Sequence, residues 1–130
     1  MNKLIAILVV ILALIMVPGC TRSEEGDGDY VSIKQEDAKA LMESEEDYVI
    51  LDVRTDSEYA EGHIPGAVLL PDYEVEERAE EMLPDKDQLI LVYCRSGNRS
   101  KTASTILAEM GYTNVKEFGG INSWPYEIEK

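Results

Sequence analysis

Apolar residues fall into short runs along the chain, and polar segments with helical periodicity separate these runs. Residues 48–53 and 88–93 are nearly continuous apolar segments, a pattern typical of strands that are buried on both faces of a parallel sheet. Shorter runs at 30–32, 68–70 and 115–118 predict three further strands.

Helices are predicted in the segments between these strands, and two of them have N-terminal capping signals. Ser32 with Gln35, and Thr55 with Glu58, both fit the capping box in which Ser or Thr precedes Glu or Gln by three residues. The helices are expected at 33–43, after Thr55 as far as Gly62, at 73–82 and at 100–110. Strands that alternate with helices predict an α/β fold with a mostly parallel sheet.

The loop at residues 93–100 joins the strand at 88–93 to the helix at 100–110 and carries the candidate chemistry. Cys94 is followed by Arg95, Gly97 and Arg99. Ligands of parallel sheets bind beyond the carboxyl ends of the strands, and helix N-termini and arginines attract anions and favour a thiolate. A buried structural cysteine is the alternative interpretation, but a glycine and two arginines do not suit an apolar environment. The loop therefore predicts a reactive thiolate that meets an anion.

Length, charge and composition exclude several classes of function. The chain has 130 residues, enough for one domain with a hydrophobic core. Its net charge of −14 makes it a poor partner for nucleic acid, which needs clustered Lys and Arg. The positive cluster of Arg95, Arg99 and Lys101 stands out against this acidic background. With two cysteines in different surroundings and one histidine, the sequence predicts no metal site and no cofactor.

The N-terminal segment predicts export from the cytoplasm. The apolar run at 4–17 is too short to span a membrane but suits the core of a signal peptide. It ends at Gly19-Cys20, which resembles the lipobox of bacterial lipoproteins. The resemblance implies cleavage after residue 19, a lipid on Cys20, and a flexible acidic tether at 20–29. The protein would then be anchored to the outside of the bacterial cell membrane. An uncleaved anchor, or a secretory signal that leaves a free Cys20, are the alternatives.

Five motifs occur in order between residues 30 and 124. They are Leu-Asp-Val-Arg at 51–54, Glu-Tyr at 58–59, Gly-His-Ile-Pro-Gly-Ala at 62–67, the loop at 92–100, and Gly119-Gly120 with Trp124. Together they resemble a single-domain rhodanese of the thiosulfate sulfurtransferase family. The resemblance implies that residues 30–130 form a rhodanese-like α/β domain with a five-stranded sheet flanked by helices.

The same resemblance implies the chemistry. Cys94 would be the nucleophile, taking a sulfane sulfur from thiosulfate or a related small anionic donor as a persulfide. A thiol or cyanide acceptor would then remove that sulfur. The substrate-binding loop would consist of Arg95, Ser96, Gly97, Asn98 and Arg99, and either arginine would suit the sulfonate. We expect a monomer.

Four other polar residues are interpreted mainly as structural, with a direct acid/base role or pocket lining as the alternatives. They are Asp52, Arg54, Glu58 and His63.

The sequence is also compatible with two rival functions. A rhodanese-like domain can serve as a non-catalytic binding or regulatory module. A cysteine phosphatase or arsenate reductase also places a thiolate in an anion-binding loop, but the phosphatase pattern has Arg six positions after Cys. Ser100 occupies that position here, and Arg99 comes one residue early.

Overall fold

A computed structural model describes residues 29–130. These residues form one five-stranded sheet in the order β1-β5-β4-β2-β3, and every neighbouring pair of strands is parallel. Helices flank the sheet, so the predicted α/β fold is confirmed. The predicted signal peptide, Cys20 and nearly all of the tether lie outside the described residues. None of the helices in the described range is long and apolar enough to cross a membrane.

The elements follow the predicted order along the chain. The strands are β1 (Val31–Ser32), β2 (Tyr48–Asp52), β3 (Val68–Leu69), β4 (Leu89–Cys94) and β5 (Val115–Gly120). The helices are α1 (Gln35–Ser44), α2 (Asp56–Glu61), α3 (Val75–Met82) and α4 (Asn98–Glu109). Two 3-10 turns, Asp72–Glu74 and Ile121–Ser123, precede α3 and follow β5.

Strand β4 lies at the centre of the sheet, and all six of its residues are buried. A hydrophobic core lies on each face of the sheet. Because side chains alternate between the two faces of a strand, neighbouring residues of β4 pack in different cores. Cys94 packs in the core that contains Ala103 and Leu107 of α4. Tyr93 packs in the opposite core, with Phe118 of β5. The nucleophile candidate therefore points towards α4.

One of the two predicted capping boxes is confirmed. The Thr55 hydroxyl accepts the backbone N–H of Glu58, and the Glu58 carboxylate accepts the backbone N–H of Thr55. The capping box predicted at Ser32 is wrong. Helix α1 begins at Gln35 after Lys34, which makes no side-chain capping bond. The Ser32 hydroxyl donates instead to the buried Glu117 carboxylate at 3.0 Å, because β1 pairs with β5 at this point.

Candidate active site

The chain turns sharply after β4 and enters α4 within three residues. Gly97 precedes the helix with φ of +113°, a left-handed conformation that residues with a side chain rarely adopt. This turn directs the Gly97 N–H at the Cys94 sulfur, with 3.0 Å between N and Sγ. Cys94 is only 1% exposed. The sulfur thus lies at the N-terminus of a twelve-residue helix, where the helix dipole and a donated N–H favour a thiolate.

The two loop arginines have different surroundings. The Arg99 guanidinium is half-buried and binds both carboxylate oxygens of Glu58, each at 2.9 Å. These hydrogen bonds lower the pKa of Glu58 to about 2 and raise the pKa of Arg99. Arg95 is exposed, and its guanidinium has no carboxylate partner among residues 29–130. Ser96 and Asn98 are exposed beside it.

Asp52 and Arg54 form a buried network behind the loop. Arg54 Nε and Nη2 donate to the Asp52 carboxylate at 2.9 and 2.7 Å, and Nη2 also donates to the Gly62 carbonyl at 2.7 Å. The Tyr93 hydroxyl donates to Asp52 at 2.7 Å and accepts the Ile64 N–H at 3.1 Å. Burial lowers the pKa of Arg54, but the hydrogen bonds to Asp52 outweigh this and raise it. Burial, and then Asp52, raise the pKa of Tyr93. The network ties β2 to the residue immediately before Cys94.

His63 belongs to a different contact set. Its ring stacks on Tyr59 with 3.8 Å between ring centroids, and its Nδ1 lies 3.0 Å from the Tyr59 carbonyl oxygen. Its Nε2 lies 3.4 Å from the Glu129 carboxylate, and the two residues also pair through their backbones. His63 therefore fastens the C-terminal segment and contacts neither Cys94 nor the loop arginines.

Two polar residues next to the sulfur were not singled out from the sequence. The Ser100 hydroxyl lies 3.4 Å from Cys94 Sγ and 2.7 Å from Oε2 of Glu117. Glu117 is 1% exposed and sits in β5 between Lys116 and the buried Phe118. An acid two residues after a valine in a strand, and so on the same face as that valine, is the sequence signal that identifies such a residue, since buried charges need partners.

Gly120 explains the paired glycines near the C-terminus. It lies opposite Cys94 in the pairing of β4 with β5. A Cβ at Gly120 would fall 2.5 Å from the Ser96 Cα and closer still to the Arg95 carbonyl group. The loop backbone therefore rests directly on Gly120, which leaves no space for a side chain.

In the part of the chain that the structure describes, no three His, Cys, Asp or Glu side chains are grouped so as to hold a metal ion. The chemistry that the arrangement offers is that of a cysteine at a helix N-terminus beside an exposed arginine.

Solved structures resemble this fold. A rhodanese with anions from E. coli aligns with a TM-score of 0.60 and 38% identity, covering 64% of this chain and 98% of that chain. A rhodanese-related protein from Thermoplasma volcanium aligns with a TM-score of 0.67 and 32% identity, covering 77% and 98%.

Sequence comparisons agree. The chain is 44% identical over 71 residues to the thiosulfate sulfurtransferase PspE of Escherichia coli, covering 55% of this chain and 68% of that protein. It is 38% identical over 93 residues to a sulfurtransferase of Allochromatium vinosum, covering 71% and 85%. The rhodanese-like domain model matches residues 34–126. The chain therefore belongs to the rhodanese-like domain family, and its named sulfurtransferase relatives support a sulfurtransferase role at the level of that family.

Proposed function

We propose that this protein moves a sulfane sulfur from thiosulfate, or a related small anionic donor, to a thiol or cyanide through a persulfide on Cys94. The observation that carries the proposal is the position of Cys94 Sγ, which receives the Gly97 N–H at 3.0 Å at the start of α4. Names of the relatives point the same way, since two of them are called sulfurtransferases.

Two displacements complete the reaction. The Cys94 thiolate attacks the outer sulfur of thiosulfate, a new S–S bond forms, and sulfite leaves with the electron pair of the old bond. The enzyme then holds the terminal sulfur as a persulfide anion. Cyanide or a thiolate attacks that sulfur, the product leaves with it, and the Cys94 thiolate is restored. No external oxidant or reductant is required.

Arg95 is the better candidate for the sulfonate of the donor. A guanidinium holds an oxyanion by two parallel hydrogen bonds, but the Arg99 guanidinium already holds Glu58 in that way. Arg95 is exposed at the same loop. Arg99 then acts by fixing the loop to α2, while Ser96, Gly97 and Asn98 supply its backbone.

The location of this reaction is also part of the proposal. The lipobox-like Gly19-Cys20 and the apolar run before it support a domain that is lipid-anchored outside the cytoplasm. Mass spectrometry of the membrane fraction tests this, with a diacylated Cys20 expected at the N-terminus. An unmodified Cys20 peptide would contradict it.

The sulfur transfer is tested by intact mass after thiosulfate treatment. We expect the wild type to gain one sulfur atom on Cys94 and to lose it when cyanide is added. Cys94→Ser should gain nothing, which serves as the matched control. A wild-type protein that gains no sulfur from thiosulfate or polysulfide would favour a non-catalytic binding module. Turnover of an aryl phosphate that Cys94→Ser abolishes would favour a phosphatase instead.

A further inference from the structure

Glu117 is a buried carboxylate with a full set of donors. Oε2 accepts the Gly119 N–H at 2.9 Å and the Ser100 hydroxyl at 2.7 Å. Oε1 accepts the Ser32 hydroxyl at 3.0 Å and lies 3.6 Å from the Lys101 ammonium group. Both oxygens thus accept hydrogen bonds, which is the pattern of an ionised carboxylate. A negative charge is therefore held inside the protein, one side chain away from the nucleophile.

Ser100 connects that charge to the sulfur. Its hydroxyl has a single proton to donate, although Glu117 Oε2, the Gly97 carbonyl and the Gly119 carbonyl all lie within 3.5 Å. The carboxylate is the nearest of the three and is charged, so it accepts the hydrogen bond of the hydroxyl. Ser100 Oγ then faces Cys94 Sγ, at 3.4 Å, with a lone pair. That orientation accepts a thiol S–H and gives no hydrogen bond to a thiolate.

We propose that Glu117 is a positioning residue that opposes ionisation of Cys94, by orienting Ser100 as an acceptor and by placing a negative charge nearby. Two contacts place the carboxylate within about 6 Å of Sγ, a separation at which like charges disfavour a second ionisation. The Gly97 N–H and the start of α4 act in the opposite sense, because they favour the thiolate. The ionisation of Cys94 thus depends on two opposing influences, the Glu117–Ser100 pair and the N-terminus of α4.

Other charged groups near the carboxylate do not remove this effect. Lys101 is more than half exposed, so water screens most of its field. Arg99 is committed to Glu58, which neutralises it. The hydrogen-bond donors to Glu117 are two hydroxyls and a backbone N–H, which carry no net charge. As applied to sulfur transfer, the inference rests on the proposed function, since persulfide formation begins from the thiolate.

The experiment is the pH profile of Cys94 alkylation by iodoacetamide, followed by intact mass from about pH 5 to pH 9. Glu117→Gln has the same shape without the charge, and its amide can donate to Ser100 and turn the hydroxyl towards the sulfur. We expect the midpoint to fall by about one pH unit. Below the midpoint the thiolate fraction then rises about tenfold, and alkylation becomes roughly three- to fourfold faster because the less basic thiolate is a weaker nucleophile. Glu77→Gln removes an exposed acid from α3 and should leave the profile unchanged.

Ser100→Ala supplies an independent variant. The thiol then loses its acceptor, so the midpoint should again fall, and Glu117→Gln added to this background should have a smaller effect than alone. An unchanged or higher midpoint in Glu117→Gln overturns the proposal, as does a higher midpoint in Ser100→Ala, which would show that Ser100 donates to the sulfur. If Glu117→Gln does not fold, as judged by its melting transition, the Ser100→Ala profile decides.

Alkylation requires no sulfur donor. The result therefore stands whether or not Cys94 forms a persulfide, and failure of the proposed function would be seen separately, in the thiosulfate mass assay. Where both hold, Glu117→Gln should also form the persulfide roughly three- to fourfold faster than the wild type below the wild-type midpoint.

Discussion

Replacing Gly120 with alanine tests whether the end of β5 sets the shape of the active loop. Gly120 has extended backbone angles, with φ of −133° and ψ of 154°, which alanine adopts without strain. The substitution therefore adds one perturbation only, a methyl group. That methyl would lie 2.5 Å from the Ser96 Cα and closer still to the Arg95 carbonyl group. Ordinary contacts at such a carbon are 3.4–4 Å, so the loop backbone must move.

The size of the effect follows from this displacement. Relieving the overlap requires a shift of roughly 1 Å in the backbone that holds the Gly97 N–H against Cys94 Sγ. Overpacking of this kind destabilises a protein by about 1–3 kcal/mol. Misplacement of reacting groups by about 1 Å lowers a rate by about 10²-fold. We therefore expect Gly120→Ala to fold with reduced stability and to form the Cys94 persulfide about a hundredfold more slowly.

Gly66→Ala is the matched control. Gly66 has φ of +84° and no atom within 4 Å of the added carbon, so the variant is strained without touching the loop. It should lose about 1–2 kcal/mol of stability and keep the rate of persulfide formation. Stopped-flow release of sulfite measures the rate, and urea unfolding measures the stability. A Gly120→Ala rate within twofold of the wild type, or equal rate losses in both variants, would refute the argument.

Three further predictions concern charge and hydrogen bonding. Arg99 holds the pKa of Glu58 at about 2 instead of 4.5, and a lowered carboxyl pKa stabilises the fold above about pH 4.5. About 1–2 kcal/mol of unfolding free energy, after allowing for screening by water, should therefore be lost as the pH falls through about 2. Urea unfolding should show this loss in the wild type and not in Glu58→Gln. Arg95→Ala should raise the thiosulfate KM by about tenfold or more and alter the kinetics of an uncharged donor less. Tyr93→Phe should destabilise the protein by about 1–3 kcal/mol in urea unfolding, because the Asp52 carboxylate loses a buried donor.

Each of these has a contrary outcome. An acid unfolding curve identical in wild type and Glu58→Gln would mean that the ion pair does not stabilise the fold. Equal effects of Arg95→Ala on charged and uncharged donors would place Arg95 outside the sulfonate contact. Wild-type stability in Tyr93→Phe would show that water replaces the lost hydroxyl.

Most of the fold could be predicted from the sequence because the sheet is parallel and buried. Strands buried on both faces appear as continuous apolar runs, and β2 and β4 were predicted to within one residue at each end. Helix ends were harder, since they depend on tertiary contacts. Ser32 has the sequence of a cap, but the pairing of β1 with β5 brings the Glu117 carboxylate within its reach. A buried charge is a stronger partner for a hydroxyl than a backbone N–H.

The candidate site could be predicted only in part from the sequence, because some of its contacts also depend on tertiary structure. Local sequence predicts the strand, the tight turn at Gly97 and the helix, and these place Cys94 at the end of the sheet. The contacts that tune Cys94 come from residues distant in sequence. Ser100 meets Glu117 across seventeen positions, and Arg99 meets Glu58 across forty-one. Only the strand order of the sheet brings them together.

The pair of loop arginines shows how such a distant contact changes the chemistry. In the sequence both arginines are equivalent candidates for an anion. Glu58 removes the symmetry, because the carboxylate that accepts the Thr55 N–H at the start of α2 also binds the Arg99 guanidinium. One residue thereby caps the N-terminus of α2 and fixes the active loop to that helix. Among residues 29–130, the loop guanidinium left for a donor at Cys94 is that of Arg95, while Lys101 faces the buried Glu117 carboxylate. One free guanidinium suits the single sulfonate of the proposed thiosulfate donor, which it can hold by two parallel hydrogen bonds.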